Sequence, residues 1–463
     1  MSIDPAAEDV AAAQTRSIWR AGVDAVRGDA AVAARVALDA DRLMIGAQVI
    51  SRTAFDSLLV VGAGKATAAM AAGLVRRLGG AIAIRGRINV PRGTAEGLDL
   101  GAIQVCEARE PGSNEPTELA VAGTEAILRD VAGASQRELV IVLLSGGGSA
   151  LWVAPVVGLS WRDKLAVTRH LSGAGASITE LNAVRKRLSR IKGGGLRRAC
   201  PNARMVTLVL SDVIGDPLDT IASGPTVCDG LPDDYALQVL ERADPERRMP
   251  AAVYGALRRE RTRVPGEDAW VHDVIVIGNN ATATAASGSL ARRLGYEVLI
   301  EDARGDEGTA EEVGERLAGQ AIELLRDQRE QSARPRCRVS GGEPVVRLVE
   351  PRLRGQGGRN QQLVLAAMDR LAKHPDFRPR DRGRLVLLSG GTDGEDGPTD
   401  AAGAMLRREV WDAAERLGLS AEDYLRRNDA YSFFQQTGGL LLTGTTGTNV
   451  CDVRVLVVRP DVT

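Results

Sequence analysis

The sequence predicts an α/β protein built as two layered α/β/α domains with mainly parallel sheets. Three observations carry that prediction. Short β-branched runs alternate with amphipathic stretches along most of the 463 residues, the order that builds parallel sheets. The strand runs, such as "LLVV" at 58–61 and "LVIVLL" at 139–144, are continuously apolar, as expected when helices cover both sheet faces. The phrase "LLSGG" ends a strand at 143–147 and again at 387–391, which hints at two similar domains facing one cleft.

Bulk composition narrows the function. Formal net charge is −1, with both signs mixed, and 3% of residues are aromatic. There is no polyanion-binding bias and little material for stacking on bases, so no nucleic-acid partner is expected. The five cysteines are scattered, with no paired CxxC spacing, which argues against a disulfide framework and a structural zinc site. The acidic opening "MSIDPAAEDV" has no apolar h-region and no run of about 18 apolar residues follows, so neither a signal peptide nor a membrane span is expected. A cytoplasmic location is the expectation.

Taken in order, Asp4 reads as an N-cap with Pro5 in the first helical turn, and an alanine-rich helix runs to about Gly28. "SLLVVGAGKATAAMAAGLVRRL", "ELVIVLLSGGGSA", "RMVTLVLSDVIGD", "HDVIVIGNNATATAASGSLARRLG" and "RLVLLSGGTDGEDG" each read as strand, Gly-rich turn and helix or loop. "ITELNAVRKRLSRIKGGG" reads as one helix with Leu181, Val184, Leu188 and Ile191 buried, closed by Gly193. Asn182, Arg185, Ser189 and Lys192 share its adjoining face. The charged segment "ERTRVPGEDAW" sets the expected boundary: a Rossmann-like domain over 1–260, a linker at about 261–270 and a second α/β domain over 271–463.

Every Gly-rich turn falls at the carboxyl end of a strand, where open parallel sheets bind ligands. Glycines admit backbone N–H groups to an anion, and a following helix N-terminus adds its dipole. Gly62, Gly64, Ser145, Gly146, Gly147, Gly148 and Ser149 are therefore candidate phosphate- or carboxylate-binding residues, with Asn182, Arg185, Lys192 and the Glu343 of "SGGEP" beside them. Lys65 is a cation at a helix N-terminus, opposed by the dipole, and an anionic ligand explains it. A dinucleotide fingerprint fails: Thr67 stands at the third glycine, and Arg85 and Arg87 occupy the strand where a ribose-binding acid belongs. Asp212 follows a strand directly, where catalytic or metal-binding carboxylates are delivered. "TDGEDGPTD" offers Asp393, Glu395, Asp396 and Asp400, enough for a magnesium ion held by one or two carboxylates and substrate phosphates, with Asp393 and Asp400 as the metal candidates. With no Ser-His-Asp order and few histidines, lysine, arginine and aspartate among Gly loops suit phosphoryl transfer.

In this order the motifs "VVGAGKATAAMA", "LLSGGGSALWVAP", "LNAVRKRLSRIKGGGL", "LSDVIGDPLDTIASGPT", "SGGEPVVRL", "GQGGRNQQLVLA", "LSGGTDGEDGPTDAAGA" and "TGTTGTNVCDVRVLVV" make the chain resemble the class II glycerate kinases. This is the glycerate 2-kinase family, whose C-terminal domain carries the MOFRL name. The resemblance implies two α/β domains with the active site in their cleft. It implies ATP- and Mg²⁺-dependent phosphorylation of D-glycerate, or a close relative, at the 2-hydroxyl. It places the active-site lysine at Lys65 and the arginine at Arg359, with Asp212 at the cleft as base, orienting group or metal ligand. A homodimer is left open. NAD(P)-dependent hydroxypyruvate reduction, an older label of the family, is the alternative, and a non-catalytic sensor would have lost Lys65 or Arg359. The chain departs from the family pattern at Glu110 in "REPGSNEPT" (109–117), a histidine position, at Gln362, an acidic one, and at Thr445, a proline one. The first leaves the identity of the hydroxy acid open.

Overall fold

The computed structural model describes residues 5–110, 115–228, 230–260, 264–303, 305–330 and 334–460. Asp4, residues 111–114 of the altered segment and 261–263 of the expected linker lie outside them. The chain divides into two compact units, one of residues 27–277 and one of 1–26 with 278–463.

The 27–277 unit opens with an antiparallel meander, β1 (Val36–Leu38), β2 (Arg42–Ile45) and β3 (Gln48–Ser51). Six strands then form its main sheet: β4 (Ser57–Ala63), β5 (Ala83–Pro91), β6 (Ala102–Arg109), β7 (Glu138–Leu144), β8 (Arg204–Leu210) and β9 (Val274–Gly278). Their order is β6-β5-β4-β7-β8-β9, and β5–β6, β4–β5, β4–β7 and β7–β8 all pair parallel. This is the doubly wound arrangement, in which strand order reverses between β4 and β7 and leaves a crevice outside their carboxyl ends. Leu58–Ala63 and Leu139–Leu144 are entirely buried, which accounts for their continuous apolarity. The turns after β4 and β7 press together there. A Cβ on Gly64 (φ +141°) would lie 2.1 Å from Ser145 Oγ and 2.4 Å from its carbonyl oxygen. Gly64→Ala is expected to cost roughly 2–3 kcal/mol, combining left-handed strain with overpacking. A shift of the chemical unfolding midpoint at constant m value would report it.

The helices over this unit begin with local signals. Trp161–Gly173 and Ile178–Arg187 each start on a capping box, Ser160 with Asp163 and Ser177 with Glu180. The second helix is shorter than its apolar spacing predicts. After Leu188 closes the last turn on Val184, Ser189 bridges Pro155 and the Arg190 N–H bonds the Ala154 carbonyl. Those bonds draw the chain into an extended segment, so Lys192 arrives on a loop and not on the helix face.

In the second unit the strands are β10 (Glu297–Glu301), β11 (Arg336–Gly342), β12 (Leu385–Gly391), β13 (Gly403–Leu406), β14 (Leu440–Leu441) and β15 (Asp452–Val458), ordered β10-β11-β15-β12-β13-β14. Parallel pairing holds for β10–β11, whereas β15 runs antiparallel between β11 and β12. Continuous apolar runs report that both faces are covered, and they carry no record of strand direction. The "SGG" ends of β11 and β12 therefore flank one residue, with Gly342 and Gly391 both opposite Asp452.

The sequence boundary is corrected at two places. The helix Pro5–Ala25 packs in the second unit, with Ile18, Trp19 and Val23 buried and Trp19 Nε1 bonded to the Gly390 carbonyl. Its apolar stripe needs a cover, and β12, β15 and the helix Asn280–Arg293 supply one. At the other boundary β9 completes the first sheet beside β8, so the division falls after Ile277. Among the described residues no helix is long and apolar enough to cross a membrane.

Candidate active site

At the β4/β7 crevice the sequence candidates converge. Lys65 follows β4, half-buried, and its backbone N–H bonds the Gly146 carbonyl (2.9 Å). Ser145, only 1% exposed, accepts the Ala66 N–H on its hydroxyl (2.9 Å). The next turn brings Ser149 to the centre of a polar cluster. Arg185 Nη2 donates to Ser149 Oγ (2.7 Å), and Lys192 Nζ donates to the Ser149 carbonyl (2.9 Å), to Ser149 Oγ and to Ser223 Oγ (3.3 Å). With two cations donating to it, the Ser149 hydroxyl directs its own proton to Ser223 Oγ (3.0 Å), which in turn donates to Asn182 Oδ1 (3.4 Å). Asn182, Arg185, Lys192 and Ser149 are thus brought together, with Lys192 reaching the cluster from a loop and not from the helix face expected for it.

Ser223 was not legible in the sequence. It sits in a run of left-handed residues, Ala222 (φ 50°), Ser223 (φ 61°) and Gly224 (φ 59°). Two of these carry side chains, so the run is strained. The Gly193 and Gly194 N–H groups bond the carbonyls of Ser223 and Gly224 (3.0 and 2.7 Å), and so the strained turn and the Lys192 loop hold each other. The motif "IASGPT" was the available signal, since a glycine before proline marks a turn.

The electrostatics of the cluster are one-sided. Lys186 pairs with Asp219 (3.0 Å). No acidic side chain among the described residues pairs with Lys164, Arg185 or Lys192, and burial pulls all three below their ordinary values. For Lys192 the charges of Arg185, Lys164 and Lys186 add to burial and push its ammonium well down. Buried cations without counter-ions are costly unless an anion joins them. Asp212, half-buried at the carboxyl end of β8, is delivered one strand away from β7.

The second unit treats its candidates differently. Arg359 opens the helix Arg359–Ala372 and grips Asp452 with two bonds (2.7 and 2.9 Å) and Glu343 with a third (2.9 Å). Burial alone would lower the Arg359 pKa, and the carboxylates of Asp452 and Glu343 more than reverse it. Burial raises that of Glu343, against the pull of Arg359. The helix N-terminus is occupied by Asp396, which accepts the N–H groups of Asn360 (3.0 Å) and Gln361 (2.9 Å). Gly358 is required there, because a Cβ would lie 2.3 Å from Asp396. At this turn the anion is therefore the chain's own. Asp393 Oδ1 accepts the Glu395 N–H (3.1 Å), and Asp400 Oδ1 accepts the Tyr431 hydroxyl (2.7 Å). No group of three or more His, Cys, Asp or Glu that could hold a metal occurs among the described residues.

Burial pushes the Asp396 carboxyl up to about 7, against the two N–H bonds that favour its charged form. The folded state therefore binds this proton more tightly than the unfolded chain, whose value is near 3.8. Stability from this group is full below about pH 4 and is lost as pH rises toward 7. Relative to the parent, Asp396→Asn is expected to gain on the order of 3 kcal/mol between pH 5 and pH 8. Paired thermal melts at the two pH values measure it, and a constant difference would contradict it.

Two of the three family departures have defined partners. Gln362, buried, donates to Glu311 (2.9 Å) and the Leu425 carbonyl (3.2 Å), a carboxylate contact that an acid there could not make without a proton. Glu110 forms an exposed pair with Arg92 (2.9 Å).

With this geometry in place, the comparisons are direct. Residues 14–258 match a family described as a domain of unknown function, DUF4147, and residues 336–452 match the MOFRL family. The chain is 34% identical to a glycerate kinase of Homo sapiens, over 97% of this chain and 93% of that one. It is also 34% identical to a D-glycerate 2-kinase of Thermotoga maritima, over 88% and 92%. The crystal structure of a Thermotoga maritima glycerate kinase superposes with a TM-score of 0.80 at 31% identity, covering 97% of this chain and all of that one.

Proposed function

The chain belongs to the glycerate kinase family whose members carry a MOFRL domain, and from that premise we propose that it transfers the γ-phosphoryl group of ATP to the 2-hydroxyl of D-glycerate. The observation that carries the reading is the uncompensated positive charge at the β4/β7 crevice, where Lys164 and Lys192 lie buried and Arg185 half-buried with no acidic partner among the described residues. Phosphoryl transfer asks little covalent chemistry of a protein and much positioning and charge neutralisation. Lys65 and the Ser145–Ser149 turn meet the transferring group, and Arg185 and Lys192, already oriented on Ser149, stabilise the charge that develops on its oxygens. Asp212 orients the attacking hydroxyl. Arg359 holds the ends of β11 and β15 together through Glu343 and Asp452 and keeps a cation at the start of its helix.

Magnesium, were it bound, would supply neutralisation of the nucleotide's phosphate charge. Asp393 and Asp400 are the carboxylates proposed to hold it, since an ion bound mainly through nucleotide oxygens would need only one or two carboxylates and no all-protein cage. Hydride transfer finds no support at the crevice. Thr67, fully buried, fills the place of the third glycine with its hydroxyl 3.3 Å from Ser145 Oγ. The test is ADP release from ATP with D-glycerate, run beside NAD(P)H oxidation with hydroxypyruvate. ADP release dependent on D-glycerate is expected. Nicotinamide oxidation without it would overturn the reading.

A further inference from the structure

Beside the Ser149 cluster lies a pocket of about 90 Å³, lined in part by Ser149, Trp152, Trp161, Lys164, Arg185 and Lys192. Two of its donors have no partner among the described residues. Lys164 is 9% exposed and its Nζ makes no hydrogen bond, and Trp152 is 0% exposed with an equally unpartnered Nε1. No lining residue among the described residues is acidic. Lys164 also stands in the first turn of its helix, where the dipole opposes a cation, and burial, then Arg185, draws its pKa down to about 7. An unsatisfied buried lysine amine and an unsatisfied buried indole N–H lining one pocket are each costly, and an anion entering that pocket offers both an acceptor.

We infer that this pocket is the carboxylate subsite for the hydroxy acid, with Lys164 and the Trp152 indole selecting an acid over an uncharged polyol. The inference rests on the proposal that the enzyme phosphorylates glycerate. Its volume suits a small acid. Ser149, Arg185 and Lys192 belong both to the pocket and to the cationic cluster, so a carboxylate seated here presents the neighbouring 2-hydroxyl to the cations assigned to the phosphoryl group.

The experiment compares full-length wild type with Lys164→Met and Trp152→Phe. It measures KM for D-glycerate and for ATP, together with calorimetric binding of D-glycerate and its uncharged amide. Lys164→Met removes an unpaired buried charge and is expected to fold; Trp152→Phe deletes only the N–H and part of the ring. The expected result is a D-glycerate KM raised about 10- to 100-fold in Lys164→Met and less in Trp152→Phe, as for loss of a charge-assisted bond. ATP KM stays within about twofold, and the preference for acid over amide is lost. An unchanged D-glycerate KM in a folded Lys164→Met, with wild-type turnover intact, overturns this inference alone. A rise confined to ATP KM also overturns it and assigns the pocket to phosphate. Absence of any glycerate phosphorylation in wild type overturns the functional reading and this inference with it.

Discussion

Replacing Lys65 with alanine is expected to lower kcat by roughly 100- to 1000-fold, the loss of about 3–4 kcal/mol typical when one preorganised charge-stabilising donor is removed. The fold should survive. Lys65 is fixed by its backbone bond to Gly146, which alanine retains, and the side chain runs past Gly147, its Cγ 3.7 Å from where a Cβ on that glycine would stand. The side chain therefore reaches along the surface of the Gly-rich turn and does not fill the core. Circular dichroism and melting temperature should match the parent within a few degrees while turnover collapses. Near-parental kcat would remove Lys65 from the chemistry.

Asp452→Ala is expected to show the opposite pattern, a loss of fold before any loss specific to chemistry. Asp452 is 0% exposed, opposes the ends of both β11 and β12, and takes two bonds from Arg359. Breaking a buried pair by deleting one partner strands the other charge, at a cost of about 3–5 kcal/mol. Here the figure belongs at the lower end, because the Arg359 side chain is 31% exposed and Glu343 remains bonded to it. Asp452→Asn keeps the shape and should recover part of the loss. Urea midpoints of the two variants and the parent measure this, and unchanged midpoints would contradict it. Cys451, held at φ 66° beside this pair, adds local strain to the same junction.

The Gly-rich turns at Lys65 and Ser145–Ser149 and the helical placement of Arg185 were legible because glycines and helical spacing are local signals, whereas Lys192 reaches the cluster from a loop that helical spacing did not foresee. What was missed depends on tertiary neighbours. The helix over 178–187 ends early because Ser189 and Arg190 find partners at Pro155 and Ala154. Asp396 and Asp452 occupy the anion positions that the glycine turns of the second unit advertise, and no local pattern separates a chain's own carboxylate from a ligand's. The first helix joins the distant unit because its buried face fits β12 and β15. Lys164 did leave a trace: with Val167, Thr168 and Leu171 it follows the i, i+3, i+4, i+7 pattern of a buried stripe, and a lysine in such a stripe signals a cation awaiting an anion.

The central claim is that this chain phosphorylates D-glycerate at the 2-position using the cations of the β4/β7 crevice. The most direct measurement incubates wild type and Lys65→Ala with ATP, Mg²⁺ and D-glycerate and passes each product to enolase, which accepts 2-phosphoglycerate and not the 3-phosphate. The account predicts phosphoenolpyruvate from the wild type and almost none from Lys65→Ala. ADP formation without phosphoenolpyruvate, or equal phosphoenolpyruvate from both proteins, would contradict it.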